Sequence, residues 1–356
     1  MLPQLSEYLL GKWNDFLPIM KKPKKISYLG ISGSVEGGTT TFLAFLDRNE
    51  EPSFVVRILR NPRGKALFLK ERDMLLYLAG LGSFLGNSTP RLILCNEIAG
   101  KEVLVESVLK GKPMALPMDK EGIPKIEQTR INFELVSDWL LRFNKETKEK
   151  MPNQNQFIEI VRNMINEFQK IFPLSKEEIN YLEQTAETAK NLKNIDLFLS
   201  HGDFCRQNIL VSGLKIGIID WISTKKSSLP LYDFLFFLTN YYLQERKGYG
   251  IESYIQAFQN TFFSPNPYSN LVRKALRGYC QKLGIDSSLI LFFLTMFLVE
   301  KAVSEYREMV NLSEEGFIPR FALYLELRKD YQEALKEQIW IYFFHFLVKE
   351  KNNFTI

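Results

Sequence analysis

The pattern of hydrophobic and polar positions changes once along the chain, from short runs to long helical stripes. Between residues 26 and 108, short apolar runs rich in β-branched and aromatic residues alternate with turn-forming residues, which is typical of strands. The runs are ISYLGISG (26–33), TTTFLAFL (39–46), FVVRIL (54–59), RLILCNE (91–97) and EVLVESVL (102–109). One helical segment, residues 64–82, interrupts them, with Leu67, Glu71, Leu75 and Leu78 at helical spacing. We therefore predict a small sheet with one helix, and Glu71 on the apolar face of that helix.

After Gly111 the pattern is helical for most of the remaining length. Helices are predicted at residues 129–147, 154–171, 176–193, 231–244, 251–262, 267–283, 287–310 and 317–348. The exception is residues 198–220, where two short apolar runs flank Gly213 as in a hairpin. The pattern predicts an α+β chain with two lobes, the first small and mainly β, the second larger and mainly α. We assign residues 1–25 to an N-terminal extension, 26–108 to the first lobe and 109–356 to the second.

Composition and charge narrow the class of protein. The chain has 356 residues, of which 46% are hydrophobic and 24% charged, so it is not a disordered or fibrous protein. A net charge of +5 is too small to indicate a nucleic-acid partner. The odd number of cysteines, 3, excludes a full disulfide framework and fits a reducing compartment, so we expect a cytoplasmic protein. The longest apolar run, residues 289–299, is about half of the ~20 residues that a membrane-spanning helix needs, so we expect a core helix and no stable membrane insertion.

The chemistry-bearing residues concentrate in SHGDFCRQNILVSGLKIGIIDWIS, residues 200–223. Asp203 and Asn208 lie in one short loop, and Asp220 follows the predicted hairpin. Phosphoryl transfer from a nucleoside triphosphate needs metal ions that bridge the phosphates and a carboxylate that accepts the proton of the attacking hydroxyl. Asn208 and Asp220 are suitable oxygen ligands for Mg²⁺, which leaves Asp203 as the base.

The same stretch resembles a known family. His201, Gly202 and Asp203, with Asn208 and a later hydrophobic-hydrophobic-Asp, form a pattern that is similar to that of the aminoglycoside phosphotransferase and choline kinase-like family. The resemblance implies a protein kinase-like fold, ATP or GTP as phosphoryl donor, Mg²⁺, and a catalytic role for the motif, His201 included. In such kinases a later Asp after a Pro braces the catalytic loop, and Pro230 and Asp233 in LPLYD match it.

The predicted small lobe matches the family less tightly. The segment GISGSVEGG (30–38) lies between two predicted strands, so we expect Gly33, Gly37 and Gly38 to bind phosphates through backbone N–H groups. A plain hairpin turn is the alternative. The segment ESVLKGKP (106–113) is the predicted junction of the lobes, and we expect Glu106 and Val108 to bind nucleotide.

Arg57 lies where such kinases have the strand lysine that holds phosphates. A carboxylate on an apolar helix face is costly to bury unless a cation pairs with it, so we expect Arg57 to pair with Glu71. An exposed Arg57, with Arg60 or Arg63 as the phosphate ligand, is the alternative. A lysine would restore the common arrangement, so the sequence predicts that Arg57→Lys retains binding.

The acceptor is expected to be a small molecule. Only 12 residues separate Asp220 from Asp233, which is too short for the peptide platform of a protein kinase. Residues 251–356 contain 12 acidic and 12 basic residues, which does not favour a polycationic antibiotic, so a sugar, amino sugar or amino alcohol is expected. The aromatic residues there could form core, stack on sugar rings or enclose a quaternary ammonium. A catalytically silent nucleotide-binding scaffold is the alternative function.

Overall fold

The chain divides into two compact units. A computed structural model describes residues 1–33, 38–118, 125–151, 153–192, 195–243, 250–314 and 338–354. The first unit comprises Met1–Lys112 and Leu210–Ser223, and the second comprises Pro113–Ile209 and Thr224–Ile356. The first unit therefore includes the predicted hairpin. The sequence alone places this hairpin in the second lobe, residues 109–356.

An antiparallel sheet forms the centre of the first unit. Its five strands are ordered β1-β2-β3-β5-β4. They are β1 (Ile26–Gly33), β2 (Thr39–Leu46), β3 (Phe54–Leu59), β4 (Leu92–Ile98) and β5 (Lys101–Ser107). All lie where the hydrophobic runs predict them.

The two faces of this sheet carry different chemistry. Side chains alternate along a strand, so Val56 and Ile58 of β3 belong to an apolar cluster on one face while Arg57 points to the other. Helix α1 (Leu2–Gly11) covers the apolar face with Leu5 and Leu9, and a short helix α2 (Trp13–Phe16) follows it. Residues 1–25, assigned above to an extension, thus contribute to this core.

Helix α3 (Lys65–Gly80) carries Glu71 into the interior of the first unit. Phe68, Glu71, Leu75 and Leu78 are its buried residues. Leu67, which the sequence places on this stripe, is 42% exposed because the buried face is centred between Glu71 and Leu75 and Leu67 falls at its edge. The prediction for Glu71 is confirmed, and that for Leu67 is wrong.

The remaining elements of the first unit are short. Helix α4 (Ser83–Ser88), which the sequence did not predict, follows α3. The hairpin is present as β8 (Ile209–Ser212) and β9 (Lys215–Ile218), and β8 also pairs with β6 (Lys112–Pro113).

The second unit is mainly helical, as predicted. Its helices are α5 (Ile126–Thr147), α6 (Gln154–Ile171), α7 (Lys176–Asn191), α8 (Tyr232–Tyr241), α9 (Ile251–Phe262), α10 (Pro267–Leu283), α11 (Ile290–Glu314) and α12 (Ile339–Glu350). Two short strands, β7 (Phe198–Ser200) and β10 (Lys225–Ser227), pair antiparallel. The predicted helix 317–348 falls partly on residues 315–337, which lie outside the described residues. A mainly β antiparallel part followed by a helical part confirms the α+β class.

Helix α11 contains the longest apolar run of the chain. Among the described residues, Ser287–Val310 is the one helical segment long and apolar enough to span a membrane, and 61% of its most apolar 18-residue stretch is buried inside the protein. Leu294, Phe297 and Leu298 have no exposed surface. The helix packs against α6 and α12, which agrees with the predicted core helix.

Candidate active site

The His201–Cys205 loop is held by one carboxylate. Asp233, in the first turn of α8, accepts hydrogen bonds from Ser200 Oγ at 2.8 Å, the backbone N–H of His201 at 2.8 Å and that of Gly202 at 3.0 Å. Gly202 has a φ of +81°, a conformation that suits glycine and turns its N–H towards Asp233. These are the bracing hydrogen bonds expected of Asp233 from the sequence.

Asp233 is buried together with the donors that it binds. Burial raises the pKa of its carboxyl, and His201 and the three donors oppose that rise. Without the carboxylate, the donors would stay buried and unsatisfied, at a cost of ~1–3 kcal/mol each.

Asp233→Ala is therefore expected to lower the free energy of unfolding by about 3 kcal/mol or more. The measurement is urea unfolding followed by circular dichroism. Asp286→Ala is the matched control, since this exposed carboxylate caps only a short turn through the N–H of Ser288. If both variants lowered the free energy of unfolding by the same small amount, Asp233 would not brace the loop.

Asp203 is oriented by its neighbours in the motif. The amide nitrogen of Asn208 donates to the backbone oxygen of Asp203 at 2.9 Å and to its carboxylate Oδ2 at 3.0 Å. Since the nitrogen of Asn208 is turned to Asp203, its side-chain oxygen is left as an acceptor for a cation. His201, which has no exposed surface, accepts the N–H of Asp203 on Nδ1 at 3.3 Å.

Two further residues of the motif anchor the loop in the second unit. Phe204 is fully buried against Trp139, with ring centroids 5.6 Å apart. Arg206 is buried and donates to the backbone oxygen of Tyr241 at 3.1 Å and to that of Met114 at 3.2 Å. The sequence reasoning missed Arg206, and its place inside the motif was the only available signal.

A buried charge cluster surrounds Arg57 in the first unit. Its Nη1 lies 3.0 Å from Glu71 Oε1 and 3.6 Å from Asp220 Oδ1, and its Nε lies 3.4 Å from Glu106 Oε1. The predicted pairing with Glu71 is present. Glu106 joins the cluster because Arg57 pairs in register with Leu104, and strand alternation puts Leu104 and Glu106 on one face.

The cluster has more acid than base. Burial by itself lowers the pKa of Arg57, but the charges of Glu106, Glu71 and Asp220 outweigh it and raise that pKa. Burial raises the pKa of Glu71 to about 7 against the pull of Arg57, and it also raises the pKa of Glu106. One oxygen of Glu106 is buried without a hydrogen-bond partner in the described part of the chain. Arg57 thus serves two buried carboxylates and a half-exposed one.

This geometry adds an expectation for the stability of Arg57→Lys to the retained binding that the sequence predicts. A guanidinium fork can serve two carboxylates from one position, whereas an ammonium on a flexible stem is a point charge. Arg57→Lys is expected to lower the free energy of unfolding by ~1–3 kcal/mol, because the buried carboxylate of Glu106 loses the guanidinium that neutralises it. Adding Glu106→Gln is expected to recover most of that loss. The measurement is a double-mutant cycle by urea unfolding, and additive losses would show that the two residues are independent.

Asp220 has an unusual backbone conformation. Its φ is +69°, which costs a residue with a Cβ some energy and which Asp tolerates better than most. Trp221 follows with no exposed surface, and its indole N–H donates to the backbone oxygen of Ile218 at 3.1 Å. The turn is thus fixed from the C-terminal side, and it presents the Asp220 carboxylate, 41% exposed, beside Arg57.

The glycine segment is described in part. Gly33 ends β1, Gly38 precedes β2, and Gly37 lies outside the described residues. Gly38 has a φ of +59°, and a Cβ there would lie 2.5 Å from that of Asn61, so only glycine fits. Its backbone oxygen accepts the N–H of Arg60 at 2.6 Å. Val108, half-buried, follows directly after β5.

Comparison with known proteins settles the family. A model of the phosphotransferase enzyme family matches residues 35–267, more than half of the chain. The chain belongs to the phosphotransferase enzyme family. The resemblance noted in the sequence is therefore confirmed. This phosphotransferase is an enzyme, a small-molecule kinase with a hydroxyl group as acceptor.

A solved structure with a TM-score above 0.5 shows the same fold as this phosphotransferase, and two others are similar to it. A thermostable mutant of the aminoglycoside phosphotransferase APH(4)-Ia, in a ternary complex with ADP and hygromycin B, is 12% identical, with a TM-score of 0.52 over 96% of this chain and 98% of that one. APH(3'')-Id from Streptomyces rimosus is 15% identical, with a TM-score of 0.45 over 83% and 97%. A choline/ethanolamine kinase family protein from Mesorhizobium loti is 12% identical, with a TM-score of 0.45 over 96% and 98%. No curated protein matches the sequence.

Proposed function

We propose that this phosphotransferase moves the γ-phosphate of ATP to a hydroxyl of a small molecule, with Asp203 as the base. The observation that carries the proposal is the Asp203 carboxylate, half-buried and held by the amide of Asn208 in a loop that Asp233 braces. In the step, the hydroxyl oxygen bonds to the γ-phosphorus and its proton passes to Asp203. The bond from that phosphorus to the bridging oxygen breaks, and ADP leaves.

Asn208 and Asp220 would hold Mg²⁺ in this proposal. The donor chemistry fits, since one amide oxygen and one carboxylate are hard ligands and Mg²⁺ takes its other ligands from water and phosphate. In the described part of the chain, no group of three or more His, Cys, Asp or Glu residues forms a denser site. The bound ion would neutralise charge that develops on the phosphates.

Arg57 would bind the phosphates of the nucleotide. Its support is its place beside Asp220, which the proposal assigns to the metal. Glu71 and Glu106 then act as positioning residues for the guanidinium. The phosphate site would be completed by backbone N–H groups at Gly33, Gly37 and Gly38. Val108 would lie beside the adenine or guanine ring of the nucleotide. GTP is the second candidate phosphoryl donor, after ATP.

His201 would act through the loop and not on the acceptor, because it is fully buried and accepts the N–H of Asp203. The acceptor itself would be a small molecule with a free hydroxyl, held by the helices of the second unit. The similar APH(4)-Ia structure is a ternary complex with ADP and the small molecule hygromycin B, which supports an acceptor of that kind.

The first test is thermal melting with ATP or GTP, with and without Mg²⁺. A rise in melting temperature that needs nucleotide and Mg²⁺ together is expected, because the proposed ligands are too few to hold the ion without phosphate. A silent scaffold would show no Mg²⁺ dependence, and that result would contradict the proposal.

A further inference from the structure

Lys301 of α11 points its ammonium at two aromatic rings. Its Nζ lies 4.8 Å from the ring centroid of Phe236 on α8 and 5.7 Å from that of Trp340 on α12. Both distances are within the range of a cation–π contact. The side chain is 18% exposed, so the contact is largely shielded from water.

A carboxylate completes the surroundings of this ammonium. Glu305, one turn further along α11, lies 3.9 Å from Lys301 Nζ and accepts the indole N–H of Trp340 at 2.6 Å. Phe236, Trp340 and Glu305 therefore form a cage of two aromatic faces and one anion, which we call the ammonium cage. Such a combination favours a cation that has lost part of its hydration shell.

The ammonium cage is connected to the catalytic loop within the second unit. Phe236 lies one helical turn after Asp233, which holds that loop. On the other side, Lys225 pairs in register with Ser200, which precedes His201, and binds Glu300 at 2.7 Å, next to Lys301 in sequence. Burial raises the pKa of Glu305 against the pull of Lys301, and the charges of Glu308 and Asp203 add to the rise.

We propose that Lys301 is a resident cation that fills the ammonium cage, so that this enzyme accepts uncharged hydroxyl compounds and excludes acceptors carrying an ammonium group. The second half of this inference rests on the proposed function. Each of the cations Lys225 and Lys301 has an acidic partner, Glu300 and Glu305 respectively, so these pairs offer a cationic acceptor no net negative charge. An acceptor ammonium that entered the ammonium cage would have to displace this tethered one.

The test of the cage is rescue of Lys301→Ala by methylammonium, which reproduces the end of the lost side chain. Melting temperature is measured with methylammonium chloride, with sodium chloride at equal ionic strength and with methanol. Lys301→Ala is expected to bind methylammonium about tenfold or more tightly than wild type, the factor that ~1.4 kcal/mol of cation–π attraction supplies. Adding Glu305→Gln should abolish the gain.

Two other variants keep the experiment decisive. Lys282→Ala removes a surface lysine that binds exposed Asp138, and it should gain no methylammonium affinity. Lys301→Val retains part of the packing and leaves the ammonium position empty, so it repeats the test if Lys301→Ala does not fold. The proposal of the cage would be overturned if wild type bound methylammonium as tightly as Lys301→Ala does. It would also be overturned if neither folded variant, Lys301→Ala or Lys301→Val, bound methylammonium.

The acceptor half is tested by activity. Wild type is expected to phosphorylate uncharged diols but not amino alcohols of the same chain length. Lys301→Ala should gain activity on the amino alcohols. A wild-type preference for amino alcohols would overturn the exclusion. If methylammonium rescues the variant but wild type phosphorylates no acceptor at all, the cage stands and the proposed function fails.

Discussion

Asp203→Asn is expected to lower turnover by roughly 10²–10⁴, the range for the loss of a general base. Asparagine keeps the shape of the side chain, and its oxygen can still accept the amide N–H of Asn208, which now lies 3.0 Å from the carboxylate. It cannot take the proton of the attacking hydroxyl. Melting temperature and Mg²⁺-nucleotide affinity should therefore stay close to wild type while turnover falls.

The matched control for this experiment is Asp138→Asn. Asp138 is exposed, binds Lys282 and lies on α5, outside the catalytic loop, so its loss should leave turnover unchanged. Steady-state release of ADP with a saturating acceptor measures all variants. Turnover of Asp203→Asn near the wild-type value would remove Asp203 from the role of base.

Asp220→Ala is expected to weaken Mg²⁺-dependent nucleotide binding by about 100-fold or more, because it removes the only charged side chain that we assign to the ion. Alanine is also poorly suited to the φ of +69° at this position. Asp220→Asn separates the two effects, since asparagine tolerates the left-handed conformation and retains an oxygen. We expect intermediate affinity for Asp220→Asn and little change in its stability.

Isothermal calorimetry with ATP, with and without Mg²⁺, measures this effect directly. The control is Asp47→Ala, a loop residue that also has a positive φ, of 52°, and that caps the N–H groups of Lys24 and Lys25. It should lose stability but not Mg²⁺-dependent affinity. Unchanged Mg²⁺-ATP affinity in Asp220→Ala would mean that another residue holds the ion.

The strands of the first unit could be predicted because each is a short apolar run bounded by turn residues. The pairing of Arg57 with Glu71 could also be predicted, since a carboxylate on the apolar face of a helix needs a cation. The contact with Glu106 could not. It depends on the register that sets Arg57 opposite Leu104, and a single sequence contains no direct sign of strand register.

The N-terminal helix shows a different limit of the sequence. Leu5 and Leu9 have a helical spacing, but the sequence alone assigns residues 1–25 only to an extension. Its burial depends on the apolar face of the sheet, to which Val56 and Val103 contribute from two strands. Whether a short segment forms a helix depends more on long-range packing of this kind than on its own helix propensity.

The sequence leaves three roles open for the aromatic residues of the last helices, and the structure assigns some of these residues to the core. Phe293, Phe297 and Phe344 have no exposed surface and form core. Trp340 faces an ammonium, but that ammonium belongs to Lys301 of the same chain. Sequence spacing places an aromatic ring on a helix face, whereas the identity of the cation opposite depends on how α8, α11 and α12 pack.

The most direct test of the account is a phosphoryl-acceptor screen with Mg²⁺-ATP, followed by ³¹P NMR of the products. Wild type should form a phosphate ester on at least one uncharged hydroxyl compound, with one ADP released for each ester. Asp203→Asn and Asp220→Ala should form little or none in the same time. Binding of Mg²⁺-ATP without any ester across sugars, polyols and amino alcohols, or equal ester formation by Asp203→Asn, would contradict the account.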